Sequence, residues 1–235
     1  MLKKYFLFIF LLFAAITSRA QYDYTSYNYT RYAVGAGASY IRGYTNLKQQ
    51  DNHTAQSVTF TYYYRGYIPL TAEIQSGTLS GGNLITDESN RFYINHYIAL
   101  IFHGDFQLGQ IMDDNDGFLA DFVKNFYAGT GFGFVDNNNK LQRYAISDPT
   151  YRFPGKDQSI NLMVPIRAGY EYKFYNRFNE PSVRIYAEYE HNFVFGEGLD
   201  GYDDPPSHFK NNNLNQYRQI SIGIKYDFGP TTGKP

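Results

Sequence analysis

The 235-residue chain has no cysteine and no tryptophan. Without cysteine there is no disulfide framework, no thiol catalysis and no cysteine-borne lipid anchor. Neither sign of charge is in excess, with 21 Lys and Arg against 22 Asp and Glu, so the clustered basic surface that nucleic-acid binding requires is missing. Long hydrophobic runs are missing too. Beyond residue 20 no stretch approaches the roughly 20 apolar residues of a membrane-spanning helix.

What the chain does have is aromatic side chains, 25 Tyr and 20 Phe, together with 21 Gly. Aromatic and β-branched residues fit pleated strands. The first 20 residues read as a secretory signal: Lys3 and Lys4 supply a positive start, residues 5–16 an apolar core, and Ser18, Arg19 and Ala20 a small-residue cleavage site. Cleavage is expected after Ala20, leaving a barrel domain over 21–228 and a tail over 229–235.

The informative signal in the mature chain is alternation with period two. A strand that faces lipid on one side and a polar lumen on the other alternates apolar and polar residues over about ten positions. The clearest case is 159–174, where Ile160, Leu162, Val164, Ile166, Ala168, Tyr170, Tyr172 and Phe174 alternate with a set that includes Asn161, Arg167, Glu171 and Lys173. In the last strand Ile220, Ile222, Ile224, Tyr226 and Phe228 oppose Gln219, Ser221, Gly223, Lys225 and Asp227. Val183, Ile185, Ala187, Tyr189, Phe193 and Phe195 likewise face away from Arg184, Tyr186, Glu188 and Glu190.

Weaker versions run over 30–43, 56–65, 68–77 and 126–135. In the last of these Gly129, Gly131 and Gly133 give neighbouring side chains room to cross a narrow interior. Segment 94–108 is the least clean, because Ile101 falls on its polar face. Eight strands result, joined alternately by short turns and by longer loops at 45–54, 80–90, 136–158 and 196–216. The expected fold is all-β, an eight-stranded antiparallel up-and-down transmembrane β-barrel with a short periplasmic helix. That helix is expected within 109–125, capped by Asp116, with Phe118, Leu119, Phe122 and Val123 on one face and Lys124 near its end. An irregular loop is the alternative there.

The chain also resembles the small outer-membrane β-barrel family common in Bacteroidetes, of OmpA-like barrel type. The resemblance rests on the Gly-rich run Tyr32-Ala33-Val34-Gly35-Ala36-Gly37, on residues 75–82 (QSGTLSGG) and 91–97 (RFYINHY), and on 127–133 (YAGTGFG) and 164–171 (VPIRAGYE). It implies a bacterial outer-membrane location and brings no catalytic residues. Its partners would be outer-membrane lipid, the outer-membrane assembly machinery and an external protein or surface met by the long loops. No cofactor is implied. The tail beyond Phe228 departs from the pattern of barrels that end on their last aromatic.

The residues expected to matter lie in the lumen. Pairing the sixth and seventh strands with Phe174 opposite Pro181 sets Arg167 opposite Glu188 and Glu171 opposite Arg184. With Arg65, Glu73, Glu190 and Lys225 these form a ladder of complementary charges. Buried charges persist when paired and hydrogen-bonded, and an eight-stranded barrel is just wide enough for its side chains to fill. The ladder therefore points to a plugged polar lumen with a structural or interaction role. A narrow porin-like channel, or an accessory barrel of a secretion or surface-assembly machine, are the alternatives.

Catalysis is not expected. A serine nucleophile needs an adjacent base, and none of His53, His96, His103, His191 and His208 has a serine two residues away on its strand face. His96 and His191 are expected to face outward, and His103 with Asp105 is the best remaining dyad. The acidic segments 113–116 and 200–204 suggest calcium, but they lack EF-hand spacing and read as turn and capping residues.

Overall fold

A computed structural model describes residues 28–87, 89–112, 118–203 and 214–232. The signal segment, the Asp116 cap, the acidic run 113–116, Asp204 and His208 lie outside them. Among the described residues the chain forms eight strands: β1 (Tyr29–Tyr44), β2 (Asn52–Arg65), β3 (Ile68–Gly82), β4 (Phe92–Gln107), β5 (Phe126–Leu141), β6 (Gln158–Tyr175), β7 (Pro181–Phe195) and β8 (Asn215–Thr232). A short helix, α1 (Phe118–Val123), lies between β4 and β5. Each strand pairs antiparallel with its sequence neighbours, and β8 pairs with β1, so the sheet closes as an up-and-down barrel.

The register fixes the barrel's shape. From Arg42 the partners run through Arg218, His191, Ile166, Thr130, Gly104, Leu70 and Tyr62 to Tyr32, ten residues back along β1. With about 3.3 Å per residue and about 4.8 Å between strands, that stagger over eight strands tilts them by about 41°, inside the usual barrel range. The interior is then narrow enough for side chains from opposite walls to meet.

Alternation puts the expected apolar residues on the outside of all eight strands. Ile160 (71% exposed), Val58 (63%) and Ile222 (61%) stand on the outer wall, while Ile101 (0%) and Arg184 (0%) stand inside. Aromatic rings gather on that wall toward the turn end. Tyr32, for example, lies 5.8–6.0 Å from Phe60, Tyr62 and Phe228.

Several expectations need correction. The β6–β7 register is displaced by two residues, because Tyr175 pairs with Pro181 and Phe174 with Val183, leaving Ser182 as a bulge. The turn is organised by Asn176, whose Oδ1 accepts from the backbone N–H of Phe178 (2.9 Å) and Glu180 (3.1 Å). A shift of two keeps every side chain on its face. Arg167 consequently partners Glu190, Glu188 partners Gly169, and Lys173 partners Arg184.

Strands β3 and β5 also run further than expected, to Gly82 and Leu141. β8 continues past Phe228 to Thr232, where Thr231 partners Thr30. Helix α1 lies against the barrel, with the Phe122 ring 4.9 Å from Tyr170 and 5.4 Å from Phe126. Leu119, expected on the same face, is 75% exposed.

Candidate functional site

The candidate site is the lumen, which is built in layers from the turn end upward. The first tier joins β4, β6, β7 and β8. Arg184 donates from Nη1 to Glu171 Oε1 (2.9 Å) and from Nε to Asp227 Oδ2 (2.7 Å). Lys225 Nζ donates to Glu171 Oε2 (2.8 Å), and Lys173 Nζ to Gln107 Oε1 (2.8 Å). The Arg184 guanidinium also sits 4.0 Å from the Tyr63 ring centroid. Cations slightly outnumber acids in this tier.

The second tier reverses that balance. Arg167 is the guanidinium at its centre, paired with Glu188 and within 3.4–3.8 Å of Asp105, Glu190 and Glu73. Tyr127 Oη donates to Glu188 (2.7 Å). His103 stands between Glu73 (3.6 Å) and Asp105 (3.4 Å). Four carboxylates thus share one guanidinium and one imidazole. Gly129 makes the tier possible, since a methyl there would collide with the Asp105 carboxylate.

Above the charges, Gln75 Nε2 donates to Gln219 Oε1 (3.0 Å) and Tyr97 Oη to Gln75 Oε1 (2.7 Å). From that level toward the loop end an apolar layer fills much of the lumen, with buried Asn95, Asn137 and Asn215 among it. Ile41, Leu79, Ala99, Ile101, Val135, Met163 and Val194 are buried there with the rings of Tyr97 and Tyr217. The expectation of a filled polar lumen is therefore corrected in part: its loop half carries an apolar layer among buried amides. Inward apolar residues in this half sit beside outward apolar residues, and that removed the period-two signal which had singled out Ile101.

A cap of loop residues covers the apolar layer. Asn95 Nδ2 donates to Leu199 O (2.9 Å) and Asn139 Nδ2 to Gly198 O (2.8 Å), drawing residues 198–200 over the mouth. Tyr202 Oη lies 3.0 Å from Phe92 O and 2.8 Å from Gln142 O, and burial pushes its hydroxyl pKa up. Arg91 packs its guanidinium 5.2 Å from the Tyr202 ring and 5.7 Å from Phe153. Arg143 donates to Gly201 O (3.1 Å).

Of the eight residues expected to form the charge ladder, the structure brings together Glu73, Arg167, Glu171, Arg184, Glu188, Glu190 and Lys225. The ion pairs Arg167 with Glu188 and Arg184 with Glu171 form diagonally across the strands, not between direct register partners. Arg65 stands apart at the β2–β3 turn, half-buried, its guanidinium 6.0 Å from the Tyr64 ring. His103, Asp105, Lys173 and Asp227 complete the tiers. Strand parity alone would have put them there.

One juxtaposition was invisible to the same-strand spacing rule. His53 Nε2 lies 2.8 Å from Ser80 Oγ, across from β2 to β3, and Ser80 Oγ donates to Asp51 Oδ2 (2.9 Å). With its proton on Asp51, the serine receives the His53 N–H. That is the reverse of the order in which a histidine base activates a nucleophile. His103 touches carboxylates instead. Among the described residues no group of three or more His, Asp or Glu is arranged to hold a metal ion. In segment 200–204, Asp200 Oδ1 accepts from the Tyr202 N–H (3.1 Å), a turn-forming contact.

Strand closure and the packed interior define the class: an up-and-down antiparallel eight-stranded β-barrel with an occluded lumen. No family model matches the chain, and no curated protein sequence matches it. Among solved structures it is similar to Neisserial surface protein A, at 12% identity over 84% of this chain and 97% of that one, TM-score 0.44. It is also similar to Ail, the attachment invasion locus protein of Yersinia pestis, at 12% identity over 85% and 99%, TM-score 0.45. A third is the outer membrane protein OprG from Pseudomonas aeruginosa, at 13% identity over 88% and 100%, TM-score 0.34.

Proposed function

We propose that the chain is an exported integral protein of a bacterial outer membrane, of the small OmpA-like type, which spans the membrane as a filled barrel and acts through its capped loop end. The observation that carries this reading is the pairing of an apolar outer belt with an occluded interior. A closed barrel satisfies its backbone hydrogen bonds internally, so its outer wall can face hydrocarbon. From Tyr32 to Tyr40 the wall rises about 20 Å along the barrel axis at the tilt given above, close to the apolar band of outer-membrane barrels.

Three barriers in series separate the two ends: ion pairs, hydrocarbon core and cap. This supports a structural or interaction role over conduction. The loops at 142–157 and, among the described residues, 196–203 offer surface for an external partner, and cleavage of the signal after Ala20 would precede insertion.

Planar-bilayer recording from the purified, refolded barrel tests the reading. The expected result is no reproducible conductance steps. Steps that change on Arg167→Gln or Glu188→Gln would overturn the filled lumen and establish the narrow channel. Failure of the refolded chain to float with lipid vesicles would overturn membrane insertion itself.

A further inference from the structure

The outer wall carries an arrangement that neither the lumen nor the cap explains. Arg42 on β1 and Arg218 on β8 are register partners, and Arg218 is in turn the partner of His191 on β7. All three continue the outward-facing rows of their strands. Antiparallel partners stand about 4.5–5.5 Å apart at Cα, so the two arginine side chains leave the wall side by side. Like charges directly opposite one another destabilise a sheet.

Among the described residues no carboxylate relieves the pair on that face. The outward neighbours along and across the strands are Tyr40, Tyr44, Asn52, Gln216, Ile220 and His191. Arg42 Nε is buried and makes no hydrogen bond among the described residues. Arg218 holds its guanidinium 5.0 Å from the Tyr44 ring centroid. His191 is engaged sideways, its Nε2 2.7 Å from Gln216 Oε1. The wall thus presents two adjacent guanidinium groups with aromatic flanks.

Their height matters as much as their charge. Arg42 stands two residues beyond Tyr40 toward the loop end, and Arg218 two residues beyond Ile220. Below them the outward residues of β1 and β8, Tyr32 to Tyr40 and Ile220 to Phe228, are apolar to the turn end. The pair therefore lies at the loop-side edge of the belt, at the level of lipid headgroups. A single cation there would extend to water. Two adjacent guanidinium groups suit an oxyanion, because their planar forks take phosphate oxygens in bidentate fashion, and basic clusters at the edge of a membrane bind anionic headgroups.

We infer that Arg42 and Arg218 form a binding site for one phosphate group on the headgroup of a lipid in the loop-side leaflet, with Tyr44 and Tyr40 flanking it. This rests on the reading of the outer wall as lipid-facing. The test uses the refolded full-length barrel in detergent micelles, with folding checked by the gel shift of unheated samples. Native mass spectrometry then counts retained monophosphoryl lipid A. Its dephosphorylated counterpart and inorganic phosphate serve as the other probes.

Wild type is expected to retain one phosphorylated lipid at least ten-fold better than R42Q/R218Q, and to show no such preference for the dephosphorylated lipid. R42Q and R218Q alone should each lose several-fold, which keeps the test available if the double variant misfolds. Arg177→Gln at the β6–β7 turn should behave as wild type. Equal retention by wild type and variants, or equal retention of the two lipids, would overturn the site. Displacement by millimolar inorganic phosphate would show a site for free phosphate and overturn the lipid. Flotation of wild type with vesicles reports separately on the outer-wall reading.

Discussion

The two halves of the lumen are filled by different physics. Toward the turns, six carboxylates meet Arg167, Lys173, Arg184, Lys225 and His103 in two tiers. Toward the loops, aliphatic side chains and two tyrosine rings make up most of the filling, with neutral amides such as Asn137 among them. The charged half depends on partners: each group has given up water for a specific neighbour, and loss of one neighbour leaves the other buried and uncompensated. The apolar half depends on volume, because its cost of disruption is the cavity left behind. Occlusion thus does not hang on a single interaction.

The largest effect is expected at Arg167. Glu171 keeps Lys225 at 2.8 Å even without Arg184, whereas Glu73, Asp105, Glu188 and Glu190 gather around one guanidinium. Arg167→Met should lower stability by about 3–5 kcal/mol, the usual cost of breaking a buried pair, read from urea unfolding of the barrel in vesicles. Arg184→Met should cost less. If the two variants lose equally, the contrast between an acid-rich and a cation-rich tier is wrong.

Leu79→Ala probes the other half. Leu79 is fully buried among the loop-side aliphatics, and its truncation should cost about 3 kcal/mol, measured in the same assay. Conductance should stay at zero, because the ion-pair tiers remain below the new cavity. Conductance that appears with this change alone would place the barrier in the apolar half and reduce the charged tiers to scaffolding.

How much of this was legible in the sequence follows from the same contrast. The outward face of most strands could be read, because an apolar outer wall set against inward polar residues imposes a sharp alternation. The β6–β7 register could not, since the bulge at Ser182 and the Asn176 turn are local choices that hydrophobic pattern does not report. Residues 136–140, Asp-Asn-Asn-Asn-Lys, read as a loop yet continue β5. They project beyond the apolar belt, where both faces are polar and alternation vanishes. The run 98–102, Ile-Ala-Leu-Ile-Phe, hid the hydrocarbon core for the opposite reason, being apolar on both faces. Of the charge ladder, strand parity gave the membership and not the pairing. Arg65 has the right parity, but it sits where the strand is already turning.

The smallest expected effect concerns the cap. Tyr202 Oη faces two carbonyl oxygens with one proton to donate, so Tyr202→Phe removes one hydrogen bond at the β4–β5 rim, worth about 1 kcal/mol. The ring itself stays packed against Phe153 and the guanidinium of Arg91. Global unfolding in urea should therefore barely move, while limited proteolysis should cut faster within residues 142–157. That outcome would make the cap a unit that opens without the barrel, as a loop surface that meets a partner requires. Unchanged proteolysis would mean that the cap and the hydrocarbon layer beneath it open only together.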